Sequence, residues 1–294
     1  MDIDSLKLFC DVIRHKSFTL AANANSLTQS AVSQRLKALE NKFGTPLIER
    51  HGAQLKLTKA GEVLYKGSVR ILANARELEE NMREIGGETG GSVRVASVYS
   101  VGLYELNPFV KRFLQSYPEI EVRIEYSRVD KIYRDLISGS IDLGIVAYPL
   151  NRPQLRSIPI REDELVLICA LNHPFAQRQT ISVQELNSQP FVGFEGDMPT
   201  RKALDEIFRA RGVSLKIKVE FDNIELIKRA VEIGLGVSVV PSTTVASEIE
   251  ARLLKSLPFT EGPFTRPIAA LHRRSRSLPP AVRKFIAVLT EARD

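Results

Sequence analysis

The sequence predicts an α/β protein in two unequal parts: an all-α-rich N-terminal helix-turn-helix unit carrying a small β wing, and a larger C-terminal α/β domain. Three observations carry this. Residues 17–40 read as two short helices joined by a tight turn. Residues 59–85 hold apolar positions alternately four and three apart, the pattern of one long helix. Beyond a glycine-rich joint at 86–91, runs of strand character alternate with amphipathic helical runs.

Leu6, Phe9, Cys10 and Ile13 make a first helix able to pack behind the pair. Phe18, Ala21, Ala22 and Leu27 give the next helix its apolar face. Thr28 or Gln29 then opens a third, in which Val32, Leu36, Leu39 and Phe43 form a stripe of helical period. Off that stripe lie Gln29, Ser30, Ser33, Gln34 and Lys37, with no carboxylate among them. That inventory suits a DNA major groove, where amides read adenine edges and hydroxyls and Lys meet phosphate or guanine. An ordinary solvated face has the same polarity, so the flanks decide. Downstream, residues 46–52 followed by 55–57 read as a strand, a Gly turn and a return strand.

Phe9, Ser17-Phe18, Ala21-Ala22, residues 27–33, Leu39-Glu40, Phe43-Gly44, residues 46–50 and Leu57-Thr58 with Ala60-Gly61 together resemble the winged helix-turn-helix of LysR-type transcriptional regulators. The resemblance implies double-stranded DNA as partner, with Thr28, Gln29, Ser30, Ser33, Gln34 and Lys37 at the groove and Arg50 and His51 of the wing on phosphate. Two positions depart from the family pattern. Gln34-Arg35 stands where the family usually has Arg followed by Gln, and Ala53 replaces a second wing Arg.

At 294 residues the chain is long enough for about two domains. Its 44% hydrophobic and 26% charged residues are those of a soluble globular protein. Net charge is +6, and residues 1–60 hold nine Lys/Arg against five Asp/Glu, so the basic excess gathers at the helix-turn-helix. Cys10 and Cys169 read as buried apolar residues, not a bridge. An acidic N-terminus is wrong for a secretory signal, and no apolar run reaches the roughly 18 residues of a membrane span. These features predict a cytoplasmic protein with no membrane partner.

Thr58 caps the long helix, and Gly86-Gly87 ends it. Its seam, Leu64, Ser68, Ile71, Ala75, Leu78, Met82 and Ile85, spans about three heptads with charged residues elsewhere, which argues for pairing with a second copy. Leu64, Ile71, Leu78 and Ile85 are the expected dimer contacts; the alternative is a helix lying on its own domain. The resemblance implies the same linker-helix homodimer and a further pairing to a homotetramer.

The C-terminal part is predicted to run as strand 92–97, helix 103–115, strand 120–126, helix 129–138 and strand 141–147. Strands at 164–171, 191–194, 215–221 and 236–241 follow, with helices at 200–211 and 223–233, then a strand at 267–272 and a helix at 281–291. Such units predict a parallel sheet with helices on both faces. Ser92-Val93-Arg94-Val95, Phe109, Phe113, Tyr117-Pro118, Gly139, residues 141–145, 165–167, His173-Pro174 and residues 230–241 resemble the LysR effector domain, a two-lobed fold like type 2 periplasmic binding proteins. The expected organisation is therefore a DNA-binding domain at 1–58, a linker helix at 59–86, a hinge at 87–91 and an effector domain at 92–294. Lobe I takes about 92–162 and 266–294, and lobe II about 163–265, with crossings near Glu162-Asp163 and Thr265-Arg266.

Ligands of open α/β sheets bind beyond strand C-termini, where helix N-termini offer free N–H groups. Ser97, Tyr99, Ser100, Ser127, Arg128 and Tyr148 occupy such places on one side; Phe194 and Thr200 supply the facing wall. Each alone also suits a cap or turn; as a set they predict a small-molecule pocket. The hydroxyls and Arg128 favour an anionic effector, whereas Glu195 and Asp197 oppose one unless they face outward or meet an ammonium group. Four histidines lie apart from any ligand-spaced cluster and Gly234-x-Gly236 precedes its strand, so no enzyme, metal or cofactor is expected. The leading reading is a transcription regulator under small-molecule control, with RNA polymerase as a further partner. Its alternatives are a two-lobed solute-binding protein without DNA regulation and an α/β enzyme.

Overall fold

The computed structural model describes residues 2–51, 54–86, 90–274 and 278–291. Three helices open the chain: α1 (Ile3–His15), α2 (Phe18–Ala24) and α3 (Gln29–Phe43). Each starts on a side-chain cap, since the Asp2, Ser17 and Thr28 oxygens accept from Ser5, Leu20 and Ala31 N–H groups. Leu8, Val12, Ala21, Ala22 and Val32 pack as one cluster, and Phe9, Leu36, Leu39 and Leu47 as a second. The fourth member of the expected α3 stripe, Phe43, is instead exposed in the last turn, which Gly44 ends in the left-handed conformation.

The wing is a two-stranded antiparallel ribbon of β1 (Ile48–His51) and β2 (Gln54–Leu57), with Ile48 opposite Leu57. The side chains of Arg50 and His51 and the turn at Gly52 lie outside the described part. Thr58 then does two jobs: its hydroxyl donates to the Pro46 carbonyl and accepts from Gly61 N–H, starting α4 (Lys59–Ile85). Gly61 is required by close approach, because a Cβ there would sit 2.0 Å from the Leu47 carbonyl oxygen.

Beyond the joint the elements are β3 (Gly91–Ser97), α5 (Tyr99–Tyr104), α6 (Asn107–Ser116), β4 (Ile120–Tyr126), α7 (Val129–Ser138), β5 (Leu143–Ala147) and β6 (Leu155–Ala170). There follow β7 (Pro190–Phe194), α8 (Pro199–Ala210), β8 (Lys216–Phe221), α9 (Ile224–Glu232), β9 (Ser238–Pro241), α10 (Ala246–Glu250), β10 (Leu254–Leu257), β11 (Phe264–Arg273) and α11 (Pro280–Thr290). The helix expected at 103–115 is in fact two helices. Pro108, which lacks an N–H to continue α5, sits at the start of α6.

The sheet is mixed, not parallel as expected. Its order is β10-β6-β11-β5-β3-β4, with β9 also on β6; β3 is parallel to β4 and β5, and every pairing of β6 and β11 is antiparallel. A separate parallel pair joins β7 and β8. Two lobes result. Lobe II packs around Leu165, Leu167, Phe191, Phe208, Ile227 and Val239, and lobe I around Val93, Phe113, Leu143, Ile145, Ile268 and Phe285. The long strands β6 and β11, hydrogen-bonded to each other from Leu155↔Arg273 to Leu165↔Phe264, run through both.

Candidate nucleic-acid interface and interlobe cleft

On α3, Val32 and Leu36 are buried while Gln29, Ser30, Gln34 and Lys37 are exposed and Ser33 is half-buried. Gln29 Nε2 donates to Ser33 Oγ at 3.1 Å, and the Thr28 and Ser30 hydroxyls lie 3.0 Å apart. The one acid of α3, Glu40, is turned away: its Oε1 accepts from Leu47 N–H at 2.8 Å, tying the helix to the wing. The outward face is thereby left without a carboxylate, which is the electrostatic requirement for lying along a polyanion.

Between the lobes the floor is a buried ion pair. Register places Asp163 of β6 opposite Arg266 of β11. Arg266 is 1% exposed; its Nη2 donates to Asp163 Oδ2 at 2.8 Å and its Nη1 to Ser100 Oγ at 2.9 Å. Asp163 accepts further bonds from Ser242 and Thr243 hydroxyls at 3.4 and 3.1 Å. Burial pushes the guanidinium pKa down, and Asp163 opposes that shift. Tyr148 stands beside the pair in the left-handed conformation (φ 51°), fixed by its N–H on the Pro267 carbonyl at 2.9 Å. Burial pushes its phenol up to about 12, so it is a neutral donor. Both Tyr148 OH and Arg266 Nε are buried without a partner.

The rim is closed by side chains of opposite charge. Arg128, the N-cap residue of α7, reaches across to Glu195 at 3.1 Å, Asp197 at 2.6 Å and Asp222 at 3.6 Å in lobe II. Its bonds to Glu195 and then Asp197 raise its pKa. These acids therefore meet a guanidinium of the protein itself. At the other side Tyr104 OH pairs with Glu225, and Lys228 Nζ donates to that hydroxyl at 2.6 Å. Lys228 is 3% exposed and also meets Glu248 at 2.7 Å and the Thr244 carbonyl at 3.0 Å. Burial pushes its pKa down, but Glu248, Tyr104 and Glu225 outweigh it and the net shift is upward.

Of the predicted pocket residues, the structure brings Ser100 and Tyr148 together on the Asp163–Arg266 pair and puts Arg128 at the rim. Thr200 is buried in the first turn of α8. Ser97 is not a cleft residue: it is fully buried, with its hydroxyl on the Val98 and Ile145 carbonyls. Phe194 belongs to the lobe II core. Tyr99 is exposed against Tyr126 at 5.2 Å, and Ser127 contributes its N–H to the Ser97 carbonyl. Tyr126 in turn fills the space that makes residue 102 a glycine, since a Cβ there would lie 2.3 Å from its ring. Sequence reasoning missed the floor pair and Lys228. Asp163 is hidden in the charged run Arg161-Glu162-Asp163-Glu164, where nothing local sets it apart from its neighbours, and only register joins it to Arg266.

Among the described residues there is no cluster of His, Cys, Asp and Glu fit for a metal, and no helix is long and apolar enough to cross a membrane. Cys10 and Cys169 are buried thiols whose pKa burial raises to about 12 and about 11, so neither offers a thiolate.

Residues 3–62 match the model of the bacterial regulatory helix-turn-helix of the lysR family, and residues 86–294 match that of the LysR substrate binding domain. A RuBisCO operon transcriptional regulator of Allochromatium vinosum is 32% identical over 293 residues, 99% of this chain and 97% of its own. In fold, the chain is similar to full-length OxyR of Pseudomonas aeruginosa, with a TM-score of 0.79 at 23% identity over 99% of this chain and 94% of that one. It is also similar to CbnR as found in a complex with target DNA, with a TM-score of 0.73 at 20% identity over 99% of both chains.

Proposed function

This chain belongs to the LysR family of DNA-binding transcriptional regulators, and from that premise we propose how it reads DNA and where it takes its effector. Gln29, Ser30, Ser33 and Gln34 enter the major groove on α3, Thr28 and Lys37 meet its edges, and Arg50 and His51 of the wing meet phosphate. The observation that carries this reading is the carboxylate-free outer face of α3, with Glu40 held on Leu47 N–H.

The effector binds between the lobes, against Ser100 and the unpartnered Tyr148 OH and Arg266 Nε, with Thr200 from the facing lobe. An anionic group on the effector competes with Glu195, Asp197 and Asp222 for Arg128. Two copies join along Leu64, Ile71, Leu78 and Ile85, and dimers pair to a tetramer that works with RNA polymerase in the cytoplasm.

Sequencing the genomic fragments retained by the full-length chain at moderate salt tests the DNA half. An inverted repeat should be enriched, as two-fold symmetry requires. Fragments no different from the input would overturn it. Thermal-shift screening of metabolite anions against wild type and Ser100→Ala tests the pocket: a ligand that stabilises both equally binds elsewhere.

A further inference from the structure

Part of the polar surface of α4 is covered, although Glu62, Lys66, Arg70, Glu79 and Arg83 are exposed. At about 100° per residue, Glu80 projects about 180° from Ile71, so the side opposite the exposed seam carries Ala73, Arg76, Glu77 and Glu80. That side lies on lobe I of its own chain. Arg76 Nε donates to Glu80 Oε1 at 2.8 Å, its Nη1 to Asp142 Oδ2 at 3.3 Å, and its Nη2 to Ser92 Oγ and the Ser92 carbonyl at 2.6 and 2.5 Å. Asp142 is itself held by Arg94, through Oδ1 at 2.8 Å and through the Arg94 N–H to Oδ2 at 2.8 Å. Flanking Arg76 on the same helix, Asn74 and Glu77 meet Arg273 of β11 at 3.3 and 3.5 Å. Backbone approach is equally close, because a Cβ on Gly139 would lie 2.7 Å from that of Ala73.

The junction leaves a half-open pocket of about 40 Å³ lined by Arg76, Glu80, Asp142, Arg273, Pro279 and Val282. Glu80 is buried there with Oε2 unpartnered, and burial raises its pKa against the opposing pull of Arg76. A buried carboxylate near the C-terminal end of α4 has no use in holding a dimer, since the seam is on the other side. It belongs to a contact that ties the helix to the lobe.

We propose that Arg76 clamps the back of α4 to lobe I, so that α4 itself, not the joint at 86–91, carries lobe movement to the dimer seam and the DNA-reading helices. The second half of this inference rests on the regulator reading above. The guanidinium is needed because one planar group reaches four acceptors on three residues, Glu80 of α4, Ser92 of β3 and Asp142 before β5, which an ammonium cannot span.

Hydrogen exchange on the full-length protein tests the clamp without effector or DNA. In Arg76→Gln, amides of residues 73–85 should exchange about ten-fold faster, with α1, α2, α3 and lobe II unchanged. Arg273→Gln should show a smaller increase over the same residues, and it decides the matter if Arg76→Gln also loosens α1–α3 by misfolding. Arg76→Lys should behave like the Gln variant. Unchanged exchange in the Gln variants, or full rescue by Lys, overturns the clamp. Footprinting on a genomic fragment retained by wild type then tests the coupling: the Arg76→Gln footprint should differ in length, and a wild-type footprint overturns it. Should wild type retain no fragment, the regulator reading fails and the coupling with it, while the exchange result still judges the clamp.

Discussion

Gln34 and Leu36 stand two positions apart on α3 and should fail in opposite ways when cut to alanine. Gln34→Ala, and likewise Ser33→Ala, removes groove-facing atoms, so binding to the retained fragment should weaken by about 1–3 kcal/mol with the melting temperature unchanged. Leu36→Ala empties a buried site, so the domain should lose about 2–5 kcal/mol of stability by denaturant titration. These positions were legible because helical period separates inward from outward residues within one element. Asp163 and Arg266 were not, since their meaning depends on a partner 103 positions away. Asp163→Asn leaves a buried guanidinium without its counter-charge and should cost about 3–5 kcal/mol, whereas an apolar pair at both sites should recover most of it. His272 adds a pH dependence. Burial first, and Arg156 in addition, hold its pKa below the ordinary 6.5, against the Arg273 carbonyl. The unfolded chain takes the proton at 6.5 before the folded one does, so stability should fall as pH drops below 6.5. His272→Gln should flatten that fall in urea titrations at pH 7.5 and 5.5; an unaltered slope would assign it to other groups, His173 first.

At the scale of elements, α4 shows best where sequence reading stops. Its seam was readable as period, and in the structure Ile71, Leu78 and Ile85 are 43, 63 and 80% exposed, whereas Leu64 packs on the Phe9 and Leu36 cluster of its own domain and Ser68 is buried. Asp at both Ile71 and Leu78 should give monomers in sedimentation that bind a full site poorly; a variant that stays dimeric would move the contact elsewhere. The opposite face looked like ordinary solvated charge, because nothing local tells a paired surface Arg from one docked on another domain. Strand β6 shows a second limit. Its half from Glu164 was legible as an apolar run, but Arg156, Pro159, Arg161 and Glu162 dilute the earlier half, whose strand state comes from pairing with β11. The parallel expectation held only for β4, β3 and β5: the return of 267–272 to the first set of strands was legible, but its antiparallel place between β5 and β6 was not.

For the whole molecule the closed rim is the feature most easily disturbed. Arg128 and its three acids are about half exposed, so each pair contributes only about 0–1 kcal/mol and is screened by salt. Spin labels on the two lobes should therefore report a wider distance distribution in Arg128→Ala, and in wild type at high salt; identical distributions would mean that the floor alone sets the angle. The floor limits what that opening can look like. Two strands that are hydrogen-bonded side by side form a plate, which flexes easily across its thin direction but resists shear and in-plane rotation. With Asp163 and Arg266 pinned across it, the plate acts as a leaf spring with one soft axis. Whatever binds in the cleft can then communicate through a single number, the bend angle, and two ligands of unrelated shape that produce the same angle are one signal to the rest of the protein.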